Sequence, residues 1–246
     1  MSMLFLWPSL SIPNFRALLL LSMLMGLVST GYPQAVLTST PVSVQLGKRL
    51  TTFAVDTTNL QPGPAGQGVF WDFASLVATD TLDKELVDPA GTPYASDFQE
   101  ANLCFENSAG QYFYYRLDND KYEYHGAFDG SFTVVGDAED HMRLLNYPYA
   151  YNSTHTDAYT NQYNFSGLDT YRRGSISVKA DGEGEIALPY GTVSGVLRIK
   201  IEEQFTDSIQ FGLSNTDYTS TTYIWYKPGV FHNVFFLNTT TVNGVH

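Results

Sequence analysis

One short stretch decides most of what this chain can fold into. In residues 197–202, LRIKIE, apolar and charged side chains alternate without a break: Leu197, Ile199 and Ile201 against Arg198, Lys200 and Glu202. A period of two is that of a half-buried strand, because successive side chains leave a strand on opposite faces. This places the three aliphatic side chains inside and the three charged ones in water. Upstream, Glu185-Ile186-Ala187-Leu188 alternates in the same way. Pro189 ends it, having no N–H for a ladder. Asp181-Gly182-Glu183-Gly184 reads as a turn, and Thr192-Val193-Ser194, set between Gly191 and Gly195, as a loop. Glu203 falls on the inward side and is expected to bend out to water at the sheet rim.

Short strands recur along the rest of the chain. Residues 101–106 and 112–116 flank a turn over Asn107-Ser108-Ala109-Gly110, and 112–117 and 122–127 flank Asp118-Asn119-Asp120. A third turn, Phe128-Asp129-Gly130-Ser131, leads into 132–135. Residues 59–68, NLQPGPAGQG, hold too much proline and glycine for regular structure, and Phe70 and Trp71 are expected to pack beneath that loop. Residues 144–166 are dense in Tyr and Asn and suit either a strand or a long loop. Outside the amino-terminal segment no stretch has the 3.6-residue period of an amphipathic helix. The expected fold is therefore all-β: a single antiparallel meander domain over residues 36–246, built as a curved sheet tending to an open barrel, or as a β-sandwich.

Charge and cysteine usage narrow the setting. The only charge before residue 48 is Arg16, followed by the apolar run 17–28, ALLLLSMLMGLV, and then small residues. That is the layout of a secretory signal peptide, taken as residues 1–31, with cleavage after Gly31 or Ala35. The run is shorter than the ~20 residues a membrane-crossing helix needs, and no second span follows. The chain is expected to be exported, to the periplasm, the cell surface or the medium. Its formal net charge is −12, with no basic stripe. That disfavours nucleic acid and anionic lipid as partners, since both are bound through cations. Cys104 is the one cysteine, so no intrachain disulfide forms. It is read as a small apolar group within a strand.

Few residues suggest chemistry. Glu183 and Glu185 are near enough in sequence to act as a carboxylate pair, but beside turn glycines they read as solvated; Glu202 and Glu203 point to opposite faces. His125, His141, His155 and His232 are scattered. Asp137-Ala138-Glu139-Asp140-His141 and Asp118-Asn119-Asp120 lack the spacing of a calcium loop and read as solvated loops. No G-x-S-x-G elbow is present. No catalytic residue, metal ligand or cofactor is expected. Aromatic residues, 15% of the chain, carry the one suggestive signal. In Tyr223-Ile224-Trp225-Tyr226 both faces are apolar or aromatic. This is either a central strand covered on both sides or a stacking platform. On the second reading Trp225, Tyr223, Tyr147, Tyr149 and Tyr163 are the ligand-binding candidates, stacking on a sugar or lining a lipid cavity. Asparagines between 146 and 164 would then bond hydroxyls. Asn152, Asn164 and Asn238 open N-x-S/T sequons.

Four stretches taken together, GQGVFWDFASL at 66–76, LNYPYAYNSTHTDAY at 145–159, DGEGEIALPYGTVSGVLRIK at 181–200 and YIWYKPGV at 223–230, resemble uncharacterised exported proteins of Bacteroidetes-type bacteria. Members of that group often carry a carboxy-terminal type IX secretion sorting domain, which the residues after Phe236 do not form. The resemblance implies an exported all-β protein and no established activity. Three functions follow as expectations. The first is a non-enzymatic binding module of the envelope or medium, with an apolar or aromatic-lined cavity free of ionisable groups at its floor. The second is a secreted carbohydrate-active hydrolase, and the third a structural or adhesive surface protein. The partners in view are a glycan, a lipid or another envelope protein.

Overall fold

The structure is a computed structural model that describes residues 34–40, 42–210 and 213–245. Residues 1–31, expected to be a signal peptide, lie outside the described residues. The strands are β1 (Val36–Leu37), β2 (Arg49–Val55), β3 (Gly66–Asp72), β4 (Ala78–Val87), β5 (Leu103–Asn107), β6 (Tyr112–Leu117), β7 (Lys121–Phe128), β8 (Thr133–Gly136), β9 (Met142–Asn146), β10 (Tyr149–Ala150), β11 (Thr154–Phe165), β12 (Leu168–Leu188), β13 (Gly191–Ile209), β14 (Ser214–Tyr226) and β15 (Asn233–Val245). Among the described residues there is no α-helix, only three short 3₁₀ turns. The all-β expectation holds.

Thirteen strands form one sheet: eleven in the order β15-β14-β13-β12-β11-β8-β7-β6-β5-β4-β2, with β3 paired to β12 and β9 to β7 off that path, while β1 and β10 pair apart from it. Sequence neighbours are mostly sheet neighbours, as in a meander. The end strands β15 and β2 are not paired with each other, so the sheet stays open. Two strands share an edge between two partners. One edge of β7 takes β8 at Gly126–Phe128 and β9 at Lys121–Tyr124. One edge of β12 takes β11 along residues 168–179 and then β3 along residues 182–187. The β3–β12 pairing is parallel, an exception to the antiparallel pattern.

That pairing overturns the expected turn at 181–184. Instead of turning, the chain runs straight through as part of β12, and both carboxylates there are buried, Asp181 8% and Glu183 9% exposed. The glycines serve close approach rather than reversal. A Cβ on Gly184 would sit 1.9 Å from the Val69 carbonyl oxygen of β3, and one on Gly182 would meet the Trp71 ring at 2.8 Å. The reversal comes later, at Pro189 and Tyr190, and residues 192–194 are strand rather than loop.

The alternating stretch of β13 is covered on both faces. Leu197, Ile199 and Ile201 join Ile176, Val178 and Ala180 of β12 and Tyr159 of β11 in the first core, which Leu117, Tyr122 and Leu145 close from the opposite side. Val196 belongs to a second core with Trp71, Phe73, Ile186, Leu188, Trp225 and Leu237. Arg198, expected in water, is 1% exposed on that second side. Lys200 is half-buried and Glu202 exposed. Glu203 does not bend away; it accepts a hydrogen bond from the buried Tyr159 hydroxyl. Trp71 packs beneath the 59–64 loop and donates its indole N–H to the Pro64 carbonyl at 3.1 Å, whereas Phe70 points outward, 56% exposed. A third, smaller core holds Phe98, Cys104 and Tyr114. Cys104 is fully buried, and burial, first among the causes, pushes its thiol up to about 12.

Candidate functional site

The aromatic candidates do not assemble into one surface. Trp225 is 0% exposed, edge-on to Trp71 at 5.8 Å and to Phe73 at 5.6 Å, so it is core and no platform. Tyr149 is 2% exposed, its hydroxyl donating to the Val178 carbonyl at 3.0 Å, and it too is closed to a ligand. Tyr147 is half-buried beside an indentation of about 20 Å³, room for about one water molecule. Tyr163 lies near the β11–β12 hairpin end, stacked on Phe132 at 5.1 Å. Tyr223 lies against Arg198, whose guanidinium carbon stands 5.0 Å from the tyrosine ring, 5.2 Å from Trp71 and 5.6 Å from Trp225.

Arg198 holds this aromatic centre together. It donates to both oxygens of Asp181, at 2.7 and 3.0 Å, and to the carbonyls of Pro62 and Gly63 at 2.7 and 3.1 Å. A guanidinium fork matches a carboxylate in this way, and burial strengthens each bond. The arrangement locks the 59–64 loop onto the sheet. It leaves no opening for a substrate, and we read it as structural. Beside it, Glu183 accepts from the Gln67 side chain at 2.9 Å, while its second oxygen is buried without a partner.

A roomier cleft lies elsewhere. It measures about 230 Å³ and is walled by Glu100, Arg116, Lys121, Glu123, Glu139, Asp140, His141, Arg143 and Asp157, with Ala138. Strand register builds it. Glu123 on β7 is paired with Arg116 on β6 and with Arg143 on β9, so one carboxylate is flanked by an arginine on each side. Glu123 is 5% exposed and meets Lys121 at 2.8 Å and Arg143 at 3.2 Å. The Arg143 backbone N–H donates to Asp157 of β11 at 2.7 Å. Burial, only partly offset by that bond, raises the Asp157 carboxyl above its ordinary range.

Two histidines expected to be scattered meet at this cleft. His125 and His141 stack with ring centroids 3.5 Å apart and planes 22° from parallel. A bulge in β7 makes His125 the extra residue between the Tyr114–Gly126 and Tyr115–Tyr124 pairs. Its Nε2 is 4.0 Å from Glu123 and has no hydrogen-bond partner; His141 Nδ1 has none either. Burial, with His141 next in effect, lowers His125 to about 3, and burial lowers His141 too. Both rings are therefore neutral at pH 7, which is what lets them stack. In-plane lone pairs on stacked rings do not converge on one ion. Among the described residues no three His, Cys, Asp or Glu side chains are grouped to hold a metal.

This cleft is polar, with ionisable groups at its floor, unlike the apolar or aromatic-lined cavity expected of a binding module. Residues 138–141 line it from a segment that is a largely exposed loop, as expected. Part of the cleft was readable in the sequence: a hairpin about Asp118-Asn119-Asp120 already sets Arg116 opposite Glu123. Arg143, His141 and Asp157 reach the site only through the sharing of the β7 edge, for which no local signal exists.

Comparison with protein-family models, with curated proteins and with solved structures finds no match for this chain.

Proposed function

We propose that the chain is an exported, non-enzymatic binding module whose cleft between β6, β7, β9 and β11 takes one unit of a hydroxyl-rich glycan. The observation that carries this reading is the composition of the cleft wall. It consists almost wholly of hydrogen-bonding side chains of both signs, and its central carboxylate, Glu123, is already neutralised by Lys121 and Arg143. Such a wall offers donors and acceptors together, which suits a neutral polyol and not a lipid chain. The 1–31 segment and the resemblance to exported proteins support export to the envelope or medium. Saturation-transfer NMR against a panel of neutral oligosaccharides tests the reading. Contact signals are expected with the native chain and are expected to vanish in Arg143→Gln and Asp140→Asn. Binding that survives both substitutions, or a panel without a single signal, overturns it.

A second reading, a carbohydrate-active hydrolase, is favoured by one observation. Asp157, with its carboxyl raised by burial, and Glu123, held between cations, both contact Arg143. Two carboxylates in contrasting environments are what acid-assisted glycoside cleavage requires. Release of reducing sugar that Asp157→Asn abolishes, with binding retained, would establish this reading over the first.

A further inference from the structure

We infer that two copies of this chain join edge to edge through β15, in an antiparallel pairing with its twofold axis at Thr239. Among the described residues, β15 pairs only with β14, so its outer row of N–H and C=O groups faces solvent over thirteen residues. Free edges of that length are ordinarily guarded by charge, proline or distortion. β15, NVFFLNTTTVNGV, contains no charged residue and no proline, and Asp217 is the only charge in β14. The opposite edge is guarded: β2 has seven residues and starts with Arg49, and behind it β4 carries Asp80, Asp83, Lys84 and Glu85. In a chain of net charge −12, two copies repel almost wherever they approach. The β15 edge is where they can meet without placing like charges opposite each other.

The register follows from the strand itself. β15 has extra residues at Val234 and Asn243, where its ladder with β14 shifts, and runs regularly between them. An antiparallel pairing centred on Thr239 fits inside that regular part. It sets Thr239 against Thr239 of the second copy, Asn238 against Thr240, Leu237 against Thr241 and Phe236 against Val242. Phe236 and Val242 are 56% and 59% exposed, and their even spacing puts them on the same face. Each is covered by the other's counterpart, twice over by symmetry. The remaining pairs, Thr–Thr and Asn–Thr, are ones that stabilise antiparallel strands. Asn238 and Thr240 are already oriented by bonds to Ser220 of β14 at 2.9 and 3.2 Å. An isologous contact of this kind closes on itself and gives a dimer, not a fibre.

The test uses the chain produced from its full gene in a bacterium that does not glycosylate Asn238, analysed by sedimentation over a wide concentration series. A concentration-dependent dimer is expected. Thr239→Lys and Thr239→Glu each place like charges at the axis and are each expected to sediment as monomers. Thr239 is exposed, so neither change disturbs the core. An equal mixture of the two variants is expected to recover the dimer, because opposite charges then face each other; variants that failed to fold would not. A native chain that stays monomeric throughout, single variants that still dimerise, or a mixture that stays monomeric would each overturn the proposal.

Discussion

Arg198 and Asp181 form a two-pronged ion pair inside the protein, with bonds of 2.7 and 3.0 Å, and Arg198 is the most deeply buried charged side chain of the pair at 1% exposure. Removing one member of such a pair strands the other in a dry site, which costs about 3–5 kcal/mol. Asp181→Ala is therefore expected to lower stability to urea by that amount and to free the 59–64 loop for proteolysis. Replacing the pair together, Arg198→Met with Asp181→Leu, is expected to cost far less than either change alone. A loss in the double variant equal to the sum of the two single losses would show that the pair is not coupled.

Gly184 makes a second prediction. A methyl group there would collide with the backbone of β3, which cannot move aside as a side chain would. Gly184→Ala is expected to destabilise by at least about 3 kcal/mol, the upper range for overpacking. Gly91→Ala, where added atoms meet nothing within 4 Å, is expected to change stability by less than about 0.5 kcal/mol. Urea midpoints of the two variants make the comparison.

The stacked histidines predict acid sensitivity. In the unfolded chain His125 takes up a proton near its ordinary value of 6.5, whereas in the fold it does so only near about 3. Between those values the unfolded state binds more protons, so stability is full above pH 6.5 and falls as the pH drops toward 3. His141 adds in the same direction; Asp157, with its raised carboxyl, opposes it at the acid end. A urea series taken down the pH scale should show the decline, and His125→Asn should flatten it. An unchanged slope in the variant would remove His125 from the explanation.

Cys104 is expected to be inert while the protein is folded. It is fully buried, and burial raises its thiol to about 12, so almost no thiolate exists at neutral pH. A thiol reagent should label it only at the rate of unfolding. Fast labelling of the native protein would show that the small core of Phe98, Cys104 and Tyr114 opens locally.

The strands were legible where a face alternates, and the misreadings share one cause. Leu197, Ile199 and Ile201 lie inside as their period requires. Arg198 shares that period, and a charged residue on the other face ordinarily means water; here the 59–64 loop and Trp71 return to cover it, from well over a hundred residues away. Asp181-Gly182-Glu183-Gly184 looked like a turn because glycines usually mark one. These glycines admit a neighbouring backbone, and that neighbour, β3, is nowhere near them in sequence. For Trp225 composition left a covered strand and a stacking platform both open, because it cannot report what covers a ring; the covered strand is what forms. The cleft was half visible, in the Arg116–Glu123 hairpin, and half the product of β9 and β11 docking beside it.

The parallel seam between β3 and β12 also sets an order of events. Most of the sheet is made of adjacent hairpins, which close short loops and form early. Gln67 must wait for Glu183, and every residue between them has to be made first. On a chain synthesised from its amino end, Trp71 stays in water until the carboxy-terminal hairpins exist to receive it. Its indole is thus a clock for the last step of assembly, and the Arg198 lock closes only when that step is done.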